Sequence, residues 1–202
     1  MTNSLIVNIK RMIFAFSLIP LARLFYLGSL DRLGANPVEF VERSTGTWAL
    51  IFLLLTLSMS PLKKLFRLNS CIQYRRMLGL YMFFYACLHS IAYVWLDHWF
   101  DFNEVSKDIV KHPYVLVGFT AFIISIPLAI TSTKSMMKRL GGRWKILHSL
   151  IYLIGFLAVL HFLWLVKKDH TEPLIYTAVF FLLITLRIAY KYRGLIQRWV
   201  MQ

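Results

Sequence analysis

Long apolar runs alternate with short polar clusters along the whole chain. Six of the runs, at 12–30, 46–62, 77–96, 113–132, 146–166 and 173–190, are each long enough to cross a membrane. A hydrocarbon core of ~30 Å needs roughly 17–25 apolar residues wound as a helix. The pattern therefore predicts six transmembrane helices. Only helices and closed barrels satisfy their own backbone groups in lipid, so the fold class expected is an all-α integral membrane bundle, with residues 1–202 forming one domain. The first run carries Pro20 and Arg23 and lacks a small-x-small cleavage site. It reads as a first membrane helix rather than a signal peptide.

Composition agrees with lipid as the main solvent: 58% of the residues are hydrophobic and 16% are aromatic. The formal charge of +14 would suit a nucleic-acid binder, but the placement of the charges argues otherwise. Lys10 and Arg11 precede the first run. Lys63, Lys64, Arg67, Arg75 and Arg76 join the second and third, and Lys134, Lys138, Arg139, Arg143 and Lys145 join the fourth and fifth. Arg187, Lys191, Arg193 and Arg198 close the chain. All nine acids, Asp31, Glu39, Glu42, Asp97, Asp101, Glu104, Asp108, Asp169 and Glu172, are expected in the alternate loops. By the positive-inside rule both termini are cytoplasmic and the acidic loops face outward, which fits a multi-pass protein of a bacterial inner membrane. The basic residues are topology signals, and no nucleic-acid partner is expected. The longest loops run about fifteen residues, and neither GxGxxG nor a P-loop occurs, which excludes a nucleotide-binding domain within this chain. Cys71 and Cys87 read as structural thiols.

The six histidines divide by depth. His98, His112 and His170 fall in outer loops and read as solvated interfacial residues. His89, His148 and His161 fall inside the third and fifth spans, where an ionisable side chain is a functional-site hypothesis. His89 lies thirteen residues into its span from Arg76, and His161 lies thirteen residues beyond His148, a rise of ~20 Å in each case. His89 and His161 are thus expected at similar depth toward the outer side, with His148 near the inner face. Two neutral imidazoles on separate helices are what a six-coordinate haem iron takes from its protein. A zinc ion would need a third and a fourth ligand, and only Cys87 is near that depth. The competing reading is a transporter whose buried histidines bond backbone carbonyls.

His148 has no histidine counterpart on the third span. Arg75 precedes His89 by fourteen residues, which returns a helix to within about 40° of the same face, so Arg75 occupies the slot of a second ligand. An arginine stays protonated and ligates metals poorly, so Arg75 is expected as a topology anchor or a haem-propionate partner, with iron ligation the third option. Thirteen residues also rotate the fifth span by ~140°, and Gly155 is a candidate bend that would bring His148 and His161 onto one face. The absence of a CxxCH motif makes any haem b-type.

A series of short motifs runs in order along the chain. They are Leu33-Gly34-Ala35-Asn36-Pro37-Val38, the Thr45-Gly46 pair, Arg75-Arg76-Met77-Leu78-Gly79-Leu80 with His89, and Thr131-Ser132-Thr133. Then follow Leu140-Gly141-Gly142-Arg143-Trp144, Leu147-His148, Tyr152, His161, Trp164 and Pro173-Leu174-Ile175-Tyr176. With them the chain resembles the MsrQ family, formerly YedZ. These are the haem-binding membrane subunits of the protein-methionine-sulfoxide reductase system, within the ferric-reductase-like transmembrane superfamily.

The resemblance covers nearly the whole chain, and Arg23 departs from a more apolar first helix. It implies one or two haems b, with the family's haem histidines carried over onto His89, His148 and His161. It also implies electrons drawn from the quinol pool or a cytosolic flavin reductase and delivered to a periplasmic molybdenum-cofactor reductase, MsrP, which repairs methionine sulfoxide in oxidised proteins. FMN is a cofactor by this resemblance alone, and no motif marks its site. Two other functions compete. A stand-alone transmembrane ferric reductase would use the same haems and dock its metal on the acidic loop at 97–108. A non-haem transporter would more often show an internal repeat with matched helix breaks; Pro127 interrupts the fourth span without a visible match.

Overall fold

The computed structural model describes residues 3–200, with the backbone alone from position 193 onward. The side chains of Arg193 and Arg198, part of the closing basic cluster, lie outside the described residues. The described residues form helices joined by short turns, with no strand among them. The helices are α1 (Asn3–Ser29), α2 (Pro37–Leu65), α3 (Arg75–Ala92), α4 (Phe102–Lys111), α5 (Pro113–Ile130), α6 (Lys134–Leu140), α7 (Gly142–Ser149), α8 (Ile151–Leu165) and α9 (Thr171–Val200). Six stretches are long and apolar enough to cross a membrane: Ser4–Ser29, Pro37–Leu65, Arg75–Asp97, Pro113–Ile130, Gly142–Leu165 and Thr171–Tyr192. The protein is thus an all-α, multi-pass membrane protein.

Three boundaries differ from the apolar runs, each for a local reason. α2 begins at Pro37 rather than near Gly46. Asn36 caps it by accepting from the Glu39 amide at 3.2 Å, Pro37 sits at the first turn, and Glu39 pairs with Arg43 at 3.6 Å. Glu39 and Glu42 therefore ride on a helix and not in a loop, which corrects the loop placement of these two acids. The outer loop after α3 is also structured. Asp101 accepts from the amides of Asn103 and Glu104 and starts α4, a short amphipathic helix. The fifth span is interrupted, but at Leu150 rather than at Gly155. The Leu150 amide reaches back only to the Leu147 carbonyl at 3.1 Å, separating α7 from α8, while α8 runs unbroken through Gly155. Pro127 likewise stays within α5, inside its last turns.

α2 packs along α3 and α5 along α8, and contact between α3 and α5 joins the two pairs into an inner bundle. Its centre is aromatic. Tyr85 is 0% and Leu53 1% exposed, and Phe52 stacks on Tyr81 and Tyr85 with ring centres 5.5 and 5.4 Å apart. α1 and α9 flank this bundle. α1 is tied on by Tyr81 and Tyr85, whose hydroxyls donate to the carbonyls of Phe14 and Ser17 at 3.1 and 2.7 Å. Large apolar side chains such as Phe16, Phe25, Ile146 and Phe181 face outward, as expected where lipid is the solvent. Two glycines in the motifs noted above adopt left-handed backbone, Gly34 at φ 90° and Gly141 at φ 52°. Each turns the chain between elements where a side chain would be strained.

Candidate functional site

α3 and α8 carry His89 and His161 to one place. The two half-buried rings have centres 6.2 Å apart and planes inclined by 73°. Each ring is held in the same manner from a neighbouring helix. His89 Nδ1 donates to the Glu42 carbonyl on α2 at 3.0 Å, and His161 Nδ1 donates to the Tyr114 carbonyl on α5 at 2.7 Å. Because carbonyl oxygens only accept, both rings are Nδ1–H tautomers, and the lone pair is left on Nε2. Among the described residues neither Nε2 has a hydrogen-bond partner.

Reaching a helical carbonyl from the side requires passing over the residue one turn later, and in both helices that residue is glycine. A Cβ on Gly46 would lie 3.2 Å from His89 Nδ1, and one on Gly118 would lie 2.8 Å from His161 Nδ1. The device is duplicated, since carbonyl and histidine are 47 residues apart in each half. Sequence reasoning missed Gly46 and Gly118 as site residues and found no internal repeat. The signal was present as a glycine at one common distance ahead of His89 and of His161, but only the carbonyl contact explains why a glycine is needed there.

His148 is separate from this pair. It ends α7, stacked on Trp144 with ring centres 4.0 Å apart. Trp144 Nε1 donates to the Thr131 carbonyl at 3.0 Å, and the Thr131 hydroxyl donates to the Pro127 carbonyl at 2.6 Å. With its only proton so used, Thr131 Oγ1 accepts from His148 Nε2 at 3.0 Å. The free nitrogen of His148 is thus Nδ1, opposite to that of His89 and His161. Arg75 starts α3 at the same end of the bundle. Its guanidinium approaches the Tyr152 hydroxyl, while Arg187 from α9 lies over the Tyr152 ring at 5.0 Å. Neither guanidinium has a carboxylate within ion-pair distance among the described residues.

At the other end, two of the three loop histidines differ from a solvated reading. His98 is only 14% exposed, packed on Tyr93 with ring centres 4.6 Å apart and within 3.9 Å of Asp108 and Glu104. His112 Nδ1 donates to Asp108 at 2.6 Å, and the Tyr93 hydroxyl donates to the same carboxylate at 2.6 Å. Burial pulls the Asp108 carboxyl upward, but these two hydrogen bonds and the positive charge available on His112 and His98 outweigh it and hold it below the usual carboxylate range. His170 is exposed. No three His, Cys, Asp or Glu side chains among the described residues converge as a metal-ion set.

Comparison with known proteins agrees with this arrangement. A family profile described as "Ferric reductase like transmembrane component" matches residues 45–160, which contain His89, His148, Gly46 and Gly118 and end one residue before His161. Among similar proteins, one from Herminiimonas arsenicoxydans is 48% identical over 188 residues, covering 92% of this chain and 86% of its own. One from Bordetella parapertussis is 45% identical over 195 residues, covering 96% of this chain and 95% of its own. One from Xanthomonas campestris pv. campestris is 52% identical over 158 residues, covering 78% of this chain and 72% of its own. Each bears the name "Protein-methionine-sulfoxide reductase heme-binding subunit MsrQ". No solved structure matches the chain. The chain belongs to the MsrQ family, the heme-binding subunits of the protein-methionine-sulfoxide reductase system, and carries its ferric-reductase-like transmembrane component.

Proposed function

We propose that this chain holds b-type haem between His89 and His161 and carries electrons across the bacterial inner membrane to a periplasmic methionine-sulfoxide reductase, MsrP. The observation that carries the reading is the outer pair itself. With metal–imidazole bonds of ~2 Å and a nitrogen ~1 Å from its ring centre, two axial imidazoles put their ring centres roughly 6 Å apart. The observed 6.2 Å fits that requirement, as does the tautomer of each ring. The hydrogen bond at Nδ1 orients each ring and raises the basicity of Nε2, as a carbonyl behind a metal-ligating histidine does. It also answers the transporter reading, since bonding one nitrogen to a carbonyl leaves the other available to a metal.

Haem, when bound, supplies one-electron redox chemistry. The chain's part is to present two imidazoles and fix their rings through the Glu42 and Tyr114 carbonyls. His148 is proposed to serve a second, inner haem. Its Nε2 is taken by Thr131, so ligation there would use Nδ1 or require that hydroxyl to turn away. Arg75 lies toward Tyr152 and close to Arg187, which favours a propionate-facing charge over an iron ligand.

Both termini are proposed to be cytoplasmic. Electrons would then enter at the basic end, from quinol or a cytosolic flavin reductase, and leave at the acidic end. FMN remains a proposed cofactor through the family alone. The test is the optical spectrum of the detergent-purified protein, followed by reduction of MsrP. A reduced low-spin b-type spectrum that is reoxidised by MsrP is the expected result. Protein that stays colourless with haem supplied in excess would overturn the reading. A red protein that reduces ferric chelates but never MsrP would favour the stand-alone ferric reductase.

A further inference from the structure

We infer that the basic end of the bundle holds a phosphate group, in a cavity where α2 meets α9. The cavity is about 210 Å³, and Ser60, Lys63, Lys64, Arg187 and Tyr190 supply its polar lining. Arg187 Nη1 is buried and has no hydrogen-bond partner among the described residues. Its guanidinium is fixed against the Tyr152 ring at 5.0 Å. Lys64 lies 5.6 Å from the Tyr190 ring centre, so that ammonium is also tied to the cavity wall.

No carboxylate among the described residues answers this charge. The acids of the chain lie toward the other end, and Glu42 is separated from Lys63 along α2 by ~30 Å of helix rise. An arginine inside a membrane-spanning segment is expected to be paired, and here no carboxylate pairs with it and its Nη1 has no hydrogen-bond partner among the described residues. The donors also select the ligand. Residues bearing a planar fork, two ammonium groups and two hydroxyls line the cavity from two helices, more donors than the two oxygens of a carboxylate accept and a set that suits a tetrahedral phosphate. The same phosphate chemistry is offered by the headgroup of an anionic phospholipid and by a phosphate-bearing small molecule from the aqueous side. The cavity's lining residues are distinct from the His89–His161 pair.

The experiment uses the full chain, delipidated in neutral detergent, with haem content measured on every sample. One arm titrates inorganic phosphate against chloride at equal ionic strength and follows the thermal unfolding midpoint. The other compares nanodiscs of phosphatidylglycerol with nanodiscs of phosphatidylcholine, and reads lipid retained by native mass spectrometry. A response in either arm supports the inference and identifies the source. Arg187→Gln should weaken that response by at least ~10-fold, since it removes a charge-assisted hydrogen bond. Lys63→Gln with Lys64→Gln should weaken it as well, and the exposed Arg139→Gln should leave it unchanged. Should Arg187→Gln fail to insert, Arg187→Lys and the double lysine variant carry the same comparison. No response in either arm, a response equal in the variants, or loss of haem with phosphate binding intact would overturn the inference. The last outcome would make Arg187 a haem-carboxylate partner.

Discussion

Gly118 stands against the His161 ring so closely that a Cβ there would fall 2.8 Å from Nδ1 and 2.9 Å from Cε1. The absence of a side chain on α5 thus allows a ring on α8 to reach the Tyr114 carbonyl. Gly118→Ala should force the ring or the helix to move, at a cost of ~1–3 kcal/mol from overpacking. Haem content should fall and the remaining spectrum should shift. Gly46→Ala meets His89 at 3.2 Å and should show the same effect in weaker form. Haem per protein and the reduced absorption band, measured side by side, check the order. Equal, wild-type values in both variants would separate these glycines from the site.

On the proposal that the two rings serve one iron, His89→Ala and His161→Ala should remove one and the same haem population. His148→Ala should leave that population intact and affect a different one, since its ring is held by Trp144 and Thr131 at the other end. Haem stoichiometry with redox titration separates the two populations. Full haem content in both outer variants would refute the pairing.

Arg75→Lys preserves positive charge for topology and removes the planar fork that approaches Tyr152. The inserted variant should show an altered spectrum or potential at the inner haem, with the outer haem unchanged. If haem content, spectrum and electron delivery all match the wild type, Arg75 is an anchor only.

Asp108 on α4 accepts from the Tyr93 hydroxyl and from His112 Nδ1. Its carboxyl is held below its ordinary value of 3.8, so the Tyr93 and His112 hydrogen bonds stabilise the outer loop fully above that value. As pH falls through the lowered value this stabilisation is lost, and α4 should loosen. Amide exchange over residues 97–112, followed from pH 6 toward ~3, should rise in the wild type. Asp108→Asn should show the faster exchange already at pH 6 and little further change on acidification. A pH-independent wild type would show that the loop does not rest on this carboxylate.

Hydropathy and charge order were sufficient to read six membrane helices from this sequence, because a bilayer imposes a length and a composition on any segment that crosses it. The depth of His89 and His161 was legible in the same terms, as a count of residues from a charged boundary. Capping was underweighted. Asn36 and Pro37 extend α2 well past its apolar run and carry Glu42 inward, although both residues are visible as helix-start signals. Helix continuity was beyond counting, and the break at Leu150, not Gly155, sets how α7 is turned relative to α8. The tautomers were likewise decided by tertiary contacts. His89 and His161 give Nδ1–H to carbonyls of neighbouring helices, and His148 gives Nε2–H to Thr131, so three identical side chains present two different free nitrogens. Gly155 illustrates the division. The sequence shows a glycine near the middle of a helix, and only packing shows that Phe180 from α9 occupies the space its side chain would need. A one-dimensional pattern encodes depth and polarity along each helix, while the azimuth of a ring and the gap beside a backbone exist only once neighbouring helices are in place.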